Sequence, residues 1–245
     1  MLNDTLIIIP VRMGASRFPG KPLIDIDGKA MVLRVWEKAV SSKCGDVLVA
    51  CCDNQVKEYL IDKSIPYVMT EKSIKSGTDR VFHALQLLSN KNLYKYIINL
   101  QGDIPNVSTK AIKKLSLIIK KKKIQMATLV SKIKNLKKIN DQNIVKVALT
   151  KSNELDKAVY FSRAPIPFGA KIFYEHIGIY AYTLSTLKKF VHLRAGELEK
   201  IESLEQLRAL ENGIEISVGK VNSAPISIDT PKDLIFFKKN SSLKK

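Results

Sequence analysis

The chain has 245 residues, 45% of them hydrophobic and 26% charged, which is enough for one large α/β domain or two small ones. Its apolar runs fall short of the ~20 residues needed to cross a bilayer, and its first residues lack the basic segment of a signal peptide. The three clustered cysteines suit neither a disulfide framework nor a zinc site. We therefore expect reduced thiols in a cytoplasmic protein.

The net charge of +18 arises from 41 basic and 23 acidic residues. A nucleic-acid-binding protein would concentrate its basic residues on one face, with aromatic side chains between them. The longest basic run here, Lys120–Lys123, lies at the probable end of a helix, where cations suit the helix dipole, and the other runs are scattered along the chain. We therefore favour a solvated basic surface, and expect neither a nucleic-acid partner nor membrane insertion. The charge should still attract anionic substrates.

Short β-rich runs alternate with helical patterns through the first half of the chain. The predicted strands are Leu6–Ile9, Val47–Ala50, Tyr67–Met69 and Tyr96–Leu100. The predicted helices cover Met31–Ser41, with an apolar face of Val32, Val35, Trp36, Ala39 and Val40, then Asn54–Lys63, a segment marked by Val81, Leu85 and Leu88, and another marked by Ala111, Leu115, Ile118 and Ile119. This alternation predicts an α/β fold with a doubly wound, mostly parallel (mixed) sheet.

The second half of the chain is less regular. Alternation at Val145, Val147 and Leu149 predicts a strand, and Tyr174–Tyr182 predicts another. Helices are predicted at Thr183–Val191 and at Glu197–Asn212. A last helix is predicted after Thr230-Pro231, which resembles an N-cap and first helical residue. Apolar residues fall at every third position of Glu197–Asn212, and Gly213 is well placed to end that helix. Because no linker or repeat is evident, we predict a single domain over residues 1–240 and a disordered tail at 241–245.

The loop from Pro10 to Leu23 follows the first strand, at the edge where open α/β sheets bind ligands. Its glycines let the backbone approach a polyphosphate, its arginines can grip phosphate oxygens, and Lys21 supplies a point charge. It is not a P-loop, because five residues separate Gly14 from Gly20 and Pro22, which has no hydroxyl, follows Lys21. We favour a polyphosphate site over a solvated turn, with any metal held by residues elsewhere.

Two aspartates are candidates for that metal. Asp103 follows Gln101-Gly102 at the end of the fourth strand, and Asp229 directly precedes Thr230-Pro231. For either residue alone, a turn is the better explanation. Together with an anion-binding loop that lacks its own metal ligand, they indicate a magnesium site.

The pattern Ile9-Pro10-x-Arg12 through Arg17-Phe18-Pro19-Gly20-Lys21-Pro22-Leu23 resembles the signature loop of the 3-deoxy-manno-octulosonate cytidylyltransferases. The likeness extends over roughly residues 5–235. It implies a nucleotide-diphospho-sugar transferase fold of Rossmann-like type. It also implies a cytoplasmic, homodimeric, Mg²⁺-dependent nucleotidyltransferase. That enzyme would join 3-deoxy-D-manno-octulosonate (Kdo) to the CMP part of CTP, releasing pyrophosphate, for lipopolysaccharide biosynthesis.

The resemblance also implies roles for individual residues. The catalytic residues would be Arg12, Lys21 and Asp103, and the metal ligands would be Asp103 and Asp229. The nucleotide would be bound by Arg12, Ser16, Arg17, Lys21, Ala50, Ser76, Gly77, Arg80 and Gln101. The sugar acid would be bound by Arg163, His176, Tyr180, Glu205 and Gln206. Two features depart from the family pattern: Ile104 stands where Glu is usual, and the segment between Pro167 and His176 is shorter than in many relatives.

Several alternatives stay open at this point. A related cytidylyltransferase could use 8-amino-Kdo or sialic acid, although sialic acid enzymes usually lack the run from Phe18 to Leu23. A non-catalytic CTP-binding protein is compatible with Ile104, and a basic nucleic-acid-binding module is the remaining alternative. No Ser-His-Asp or Cys-His set is evident, so we expect no covalent enzyme intermediate.

Overall fold

The computed structural model describes residues 3–14, 17–151 and 155–242. The strands are β1 Thr5–Pro10, β2 Asp25–Ile26, β3 Lys29–Ala30, β4 Asp46–Cys51, β5 Tyr67–Met69, β6 Tyr96–Asn99, β7 Met126–Lys132, β8 Lys146–Thr150, β9 Asp156–Ser162, β10 Tyr174–Thr183 and β11 Ile216–Val221. The helices are α1 Met31–Ser42, α2 Asn54–Asp62, α3 Gly77–Gln86, α4 Thr109–Ile119, α5 Leu184–Val191, α6 Glu197–Glu202, α7 Leu207–Glu211 and α8 Pro231–Ser242. None of the helices in these ranges is long and apolar enough to cross a membrane.

The chain forms two compact units. The first combines residues up to Lys113 with those from Pro225 onward, and the second comprises Lys114–Ala224. The assignment of residues 1–240 to one domain stays a prediction, as does the disordered tail: α8 extends through Ser242, and residues 243–245 lie outside the described ranges.

The first unit is built on a parallel sheet with the strand order β5-β4-β1-β6. Its middle strand β1 is buried along its whole length, as expected for a parallel strand covered on both faces. Because all four strands run in the same direction, their carboxyl ends meet at one edge. The loops that leave β1, β4 and β6 therefore start side by side.

Most of the apolar face predicted for α1 is buried. Val32, Val35 and Ala39 are fully buried, and Trp36 is half-buried. Val40 is 43% exposed, so its place in the predicted face was wrong. It follows Ala39 directly and is therefore rotated about 100° from it around the helix axis.

Helix α8 starts with the expected cap. The Thr230 hydroxyl accepts a hydrogen bond from the Asp233 backbone N–H at 3.3 Å, and the Asp233 carboxylate accepts one from the Thr230 N–H at 2.8 Å. This reciprocal pair satisfies backbone donors that the first helical turn leaves free. Behind it, Phe237 of α8 packs in an apolar cluster with Met31 and Ile228, against which Phe18 of the loop after β1 also packs.

The second unit contains a mixed sheet with the strand order β10-β7-β11-β9-β8. Strands β7 and β11 are parallel, and the other neighbouring pairs are antiparallel. Strands β7, β9 and β11 were not predicted from the sequence. The first six residues of β7 are all buried, so its sequence lacks the alternation that marks a half-exposed strand.

The continuous helix predicted at Glu197–Asn212 was wrong, because the chain forms α6 and α7 separated by a turn. Ser203 adopts a left-handed conformation with φ 53°, and the Leu204 N–H returns to the Glu199 carbonyl at 3.1 Å. Leu204 and Leu207 are buried, whereas Ile201 is 77% exposed. A straight helix with apolar residues at every third position cannot turn them all toward one core, since the spacing drifts around its axis.

The cap of α8 provides a test of local stability. Replacing Thr230 with Ala should lower the free energy of unfolding by about 1 kcal/mol, because the Asp233 N–H loses its acceptor. Thr230→Ser retains a hydroxyl and should cost much less. Urea denaturation of the two variants measures this difference; equal destabilisation by Ser and Ala would contradict the capping role.

Candidate active site

The loop after β1 is held in a closed conformation by its backbone. The Val11 N–H donates to the Ala50 carbonyl of β4 at 2.9 Å, and the Gly20 N–H donates to the Met13 carbonyl at 2.9 Å. Gly20 has φ 76°, in the left-handed region that favours glycine. Ser16 lies outside the described residues, so its role in nucleotide binding stays a prediction.

Asp103 follows β6, beside the start of this loop. Gly102 packs so closely against the loop that a Cβ there would lie 2.6 Å from Val11 Cγ1, which leaves no room for a side chain. The Asp103 carbonyl accepts a hydrogen bond from the Ile228 N–H at 2.8 Å. The segment that carries Asp229 is therefore tied by its backbone to the residue that carries the other predicted metal ligand.

The Lys21 ammonium lies between the two aspartates. Its Nζ is 2.8 Å from Asp103 Oδ2 and 3.0 Å from Asp229 Oδ1. Arg17 Nη2 lies 3.3 Å from the same Asp229 oxygen. Residues separated by 82 and 208 positions in the sequence thus share one charge cluster.

This cluster shifts the pKa values of its members in different directions. Burial raises the pKa of the Asp103 carboxyl, although the attraction of Lys21 opposes the shift. Burial also acts to raise the pKa of Asp229, but Lys21 and Arg17 outweigh it and leave that pKa below its ordinary value. Burial acts to lower the pKa of Lys21, but the two carboxylates outweigh it and raise that pKa above its ordinary value. The ammonium therefore stays charged.

The two carboxylates fit a magnesium ion. Their approach to one ammonium shows that both can contact a single cation. No cluster of three or more His, Cys, Asp or Glu side chains suited to a metal occurs in the described ranges. Two carboxylates suffice for Mg²⁺, which is commonly bound through one or two carboxylates together with substrate phosphates and water. Ile104 is 6% exposed, so the residue in the usual position of Glu is packed away from solvent.

A cavity of about 260 Å³ joins this cluster to the predicted base-binding segment. Its lining includes the predicted residues Arg12, Arg17, Lys21, Gly77, Arg80, Gln101, Asp103 and Asp229. It also includes Lys75, which sequence analysis did not identify. The available signal was its position directly before Ser76-Gly77, since a cation there extends the positive lining of the cavity.

The base-binding segment is held by hydrogen bonds of its own. Ser76 caps α3, with its Oγ accepting from the Thr78 and Asp79 N–H groups at 3.1 and 3.3 Å. Arg80 is almost fully buried and donates to Thr70 Oγ1 and, at 2.7 Å, to the Ile74 carbonyl. Several Arg80 donors are thus engaged in holding the loop before α3, and contacts of Ser76 and Arg80 with cytosine stay predictions.

Two further residues assigned to the nucleotide differ in their surroundings. The Gln101 side chain faces the cavity, and its Nε2 donates to Asn99 Oδ1 at 2.9 Å. Ala50 is fully buried in β4, where its carbonyl accepts from Val11. Its part in ribose binding also stays a prediction.

Three of the five residues assigned to the sugar acid, His176, Tyr180 and Glu205, form a polar cluster in the second unit, and Gln206 follows Glu205 in the chain. Burial lowers the pKa of His176 to about 3, so its imidazole is neutral at physiological pH, and Nε2 lies 3.0 Å from Thr128 Oγ1. Its ring is 5.3 Å from that of Tyr180. Burial raises the pKa of Tyr180, and electrostatic interactions with Tyr182 and then Glu205 add to the shift. Gln206 is 5% exposed, and its Nε2 has no hydrogen-bond partner among the described residues.

Arg163, the fifth, is bound to backbone carbonyls. Its Nε donates to Glu202 O at 2.9 Å and its Nη1 to Gln142 O at 3.0 Å. Its own carbonyl accepts from Lys146, a fully buried lysine that sequence analysis missed. Both cations therefore hold backbone segments in place, and a contact between Arg163 and a sugar carboxylate stays a prediction.

Comparison with known proteins identifies the family. The cytidylyltransferase family model matches residues 6–216. The 3-deoxy-manno-octulosonate cytidylyltransferase of Paramagnetospirillum magneticum is 41% identical over 231 residues, covering 94% of each chain. That of Afipia carboxidovorans is 40% identical over 233 residues, covering 95% of this chain and 94% of its own. The chain belongs to the 3-deoxy-manno-octulosonate cytidylyltransferase family.

Solved structures agree with membership in this cytidylyltransferase family. A CMP:2-keto-3-deoxy-manno-octonic acid synthetase, solved in complex with CTP, is 32% identical, with a TM-score of 0.90 over 98% of this chain and 99% of its own. A Bacillus anthracis glucose-1-phosphate thymidylyltransferase, described as putative, shares the fold alone, at 14% identity and a TM-score of 0.69 over 97% of this chain and 95% of its own. The predicted α/β fold of the nucleotide-diphospho-sugar transferase type is confirmed.

The charge cluster makes folding stability depend on pH. In a Lys21→Met variant, burial and the repulsion of Asp229 should raise the pKa of Asp103 further. An acidic group whose pKa is higher in the folded than in the unfolded state destabilises the protein at high pH. The effect grows as the pH rises from the pKa in the unfolded state, about 3.9, toward the pKa in the folded state. Without magnesium, the melting temperature should therefore fall by about 4 °C at pH 7.5 and by much less at pH 4.5.

Differential scanning fluorimetry of the wild type and the variant at the two pH values measures this effect. Lys21→Arg, which keeps the positive charge, is the matched control. An equal loss for Lys21→Met at both pH values would show that the destabilisation comes from lost packing, not from the two carboxylates.

Proposed function

We propose that the protein transfers the cytidylyl group of CTP to Kdo, giving CMP-Kdo and pyrophosphate for lipopolysaccharide biosynthesis. Its family membership supports this reaction. The observation that carries the proposal is the contact of Lys21, in the phosphate loop, with both Asp103 and Asp229. A cationic loop and an acidic pair at one cavity provide the two kinds of site that a triphosphate and its metal ion require.

In this proposal the triphosphate lies along the loop after β1. Arg12 and Arg17 grip phosphate oxygens through their planar guanidinium groups, and Lys21 adds a point charge. Ser16 contributes a hydroxyl to the same group of oxygens. These cations neutralise the negative charge that develops on the leaving pyrophosphate.

The cytidine moiety is assigned to the other end of the cavity. Gly77 and Gln101 face each other there, since a Cβ on Gly77 would lie 3.6 Å from Gln101 Oε1. The absence of a side chain on Gly77 leaves space for a flat base beside that amide. Ser76 and Arg80 supply hydrogen-bond donors, and Ala50 borders the ribose.

The chemical step is an in-line displacement at the α-phosphorus. The anomeric hydroxyl oxygen of the sugar acid forms a bond to the α-phosphorus while the bond to the bridging oxygen of pyrophosphate breaks, and the hydroxyl proton is lost to solvent. When bound, Mg²⁺ supplies positive charge that stabilises the phosphate oxygens and makes the hydroxyl more acidic. Asp103 and Asp229 hold that ion, and the protein forms no covalent bond to either substrate.

The sugar acid is assigned to the polar cluster of the second unit. His176, Tyr180, Glu205 and Gln206 combine hydrogen-bond donors and acceptors suited to several hydroxyl groups. The buried Gln206 Nε2 supports this assignment, because an unpaired buried donor is costly and a ligand oxygen would satisfy it. Arg163 is assigned to the sugar carboxylate.

The proposal extends to compartment and assembly. Cys44, Cys51 and Cys52 are free thiols, which suits the reducing cytoplasm. Exposed apolar side chains of the second unit, including Phe168 and Ile201, support a homodimer formed through this half of the chain.

Pyrophosphate release tests the proposed substrates. The assay combines CTP, UTP or dTTP with Kdo, 8-amino-Kdo or sialic acid in the presence of Mg²⁺. The pair CTP and Kdo should give a kcat/KM at least about 100-fold above any pair with another nucleotide, because buried polar groups left unpaired by the wrong base are costly. A preference for another sugar acid would replace Kdo, and CTP binding without turnover would indicate a non-catalytic protein.

Replacing Asp103 with Asn tests the metal assignment. The substitution preserves size but removes the charge of a metal ligand, so turnover should fall by at least about 1,000-fold while the melting temperature stays near that of the wild type. Asp62→Asn, at an exposed carboxylate of α2, is the matched control and should retain full activity. Full activity of the Asp103 variant would refute the metal site.

A further inference from the structure

Asp53 stands at a helix N-cap but does not cap its helix. It directly precedes α2 in an extended conformation, with φ −116° and ψ 133°, as an N-cap residue should. Aspartate at this position normally accepts a hydrogen bond from the second or third helical N–H. Its side chain makes no such bond here. The carboxylate is therefore available for another contact.

That contact is with the phosphate loop. Asp53 Oδ2 accepts a hydrogen bond from the Met13 N–H at 2.8 Å, across 40 residues of sequence. The Met13 carbonyl in turn accepts from the Gly20 N–H at 2.9 Å. Both backbone polar groups of Met13 are thus hydrogen-bonded. Its N–H connects the loop to the start of α2, and its carbonyl connects the two sides of the loop.

The side chain of Cys52 reinforces this arrangement. Cys52 is 6% exposed, and its thiol donates to the same Asp53 Oδ2 at 3.3 Å. Burial, partly offset by Arg80, raises the pKa of this thiol, so it remains a protonated donor at neutral pH. The thiol and the Met13 N–H together fix the orientation of the carboxylate.

The loop needs such an anchor because of its charge. Arg12 and Arg17 are exposed cationic side chains on a segment rich in glycine and proline. Repulsion between like charges favours an open loop, and backbone freedom at glycine adds to that tendency. The partly buried Asp53 carboxylate accepts from the loop backbone and opposes both effects without occupying any arginine or lysine side chain.

We propose that Asp53 is a positioning residue that holds the phosphate loop in its binding conformation through the Met13 N–H. The inference rests on the proposed function, since it assumes that this loop binds the triphosphate of CTP. Asp53 acts on the β- and γ-phosphates only through the loop and touches neither substrate. Its loss should therefore weaken triphosphate binding more than it affects the other steps.

The test compares Asp53→Ala, Asp53→Asn and the wild type. Alanine removes the acceptor, so the Kd for CTP measured by calorimetry should rise about tenfold, whereas the Kd for CMP, which lacks the β- and γ-phosphates, should change less than about threefold. Asparagine retains an acceptor oxygen, so Asp53→Asn should restore CTP affinity to within about threefold of the wild type. Glu58→Ala, at an exposed carboxylate of α2, is the matched control.

Steady-state kinetics supply an independent readout. Asp53→Ala should raise the KM for CTP more than it lowers kcat, because the loop cations already bind the triphosphate in the ground state and only part of their effect arises as charge develops on the leaving pyrophosphate. The melting temperature should change by less than about 2 °C, because no helix cap is lost. Equal CTP affinity of the alanine variant and the wild type would overturn the inference, as would equal losses for CTP and CMP or failure of the asparagine variant to rescue.

These outcomes are separate from failure of the proposed function. A wild-type protein that does not bind CTP would remove the proposed function and this inference with it. A wild type that binds CTP, accompanied by an unaffected Asp53→Ala variant, would leave the proposed function intact and reject only the positioning role.

Discussion

The contact of Lys21 with Asp103 and Asp229 is the interaction on which the site depends. One ammonium compensates two carboxylates in a partly desolvated position, where the pair would otherwise repel each other. The same contact holds a cationic loop near the acids that it must work with. Under the proposed function, a triphosphate brings negative charge to the loop and Mg²⁺ brings positive charge to the aspartates. The substrate complex can therefore replace the internal ion pairs with its own, since the triphosphate pairs with the cations of the loop and Mg²⁺ pairs with the aspartates.

Backbone contacts, more than side chains, set the positions of these charged groups. Parallel strands bring the ends of β1 and β6 together, and the missing side chain of Gly102 lets the two exits touch. The hydrogen bond from Ile228 to Asp103 adds the segment that precedes α8. The cap of α8 and the apolar cluster around Phe237 then support both that segment and Phe18 of the loop. A rigid support matters here, because displacement of a charged group by 1 Å can greatly weaken catalysis.

The predicted sugar-binding residues of the second unit include buried, uncharged side chains. His176 is kept neutral by desolvation, Tyr180 keeps its proton, and the Gln206 amide lies in the interior. Neutral groups of this kind donate and accept hydrogen bonds with fixed geometry, which suits a ligand rich in hydroxyls. Two cations of this unit, Lys146 and Arg163, are bound to backbone carbonyls and hold backbone segments in place.

The sequence by itself determined the features that depend on neighbouring residues. These are the alternation of strands and helices in the first half, the cap at Thr230, and the concentration of cations in the loop after β1. Only the tertiary structure decided which distant groups meet. The pairing of Lys21 with two aspartates, the engagement of Arg80 by carbonyls and the turn of Asp53 away from its own helix all arise from contacts across many residues. The break at Ser203 and the unrecognised strand β7 have the same origin, because burial against the rest of the fold overrides the local periodicity from which a helix or strand is predicted.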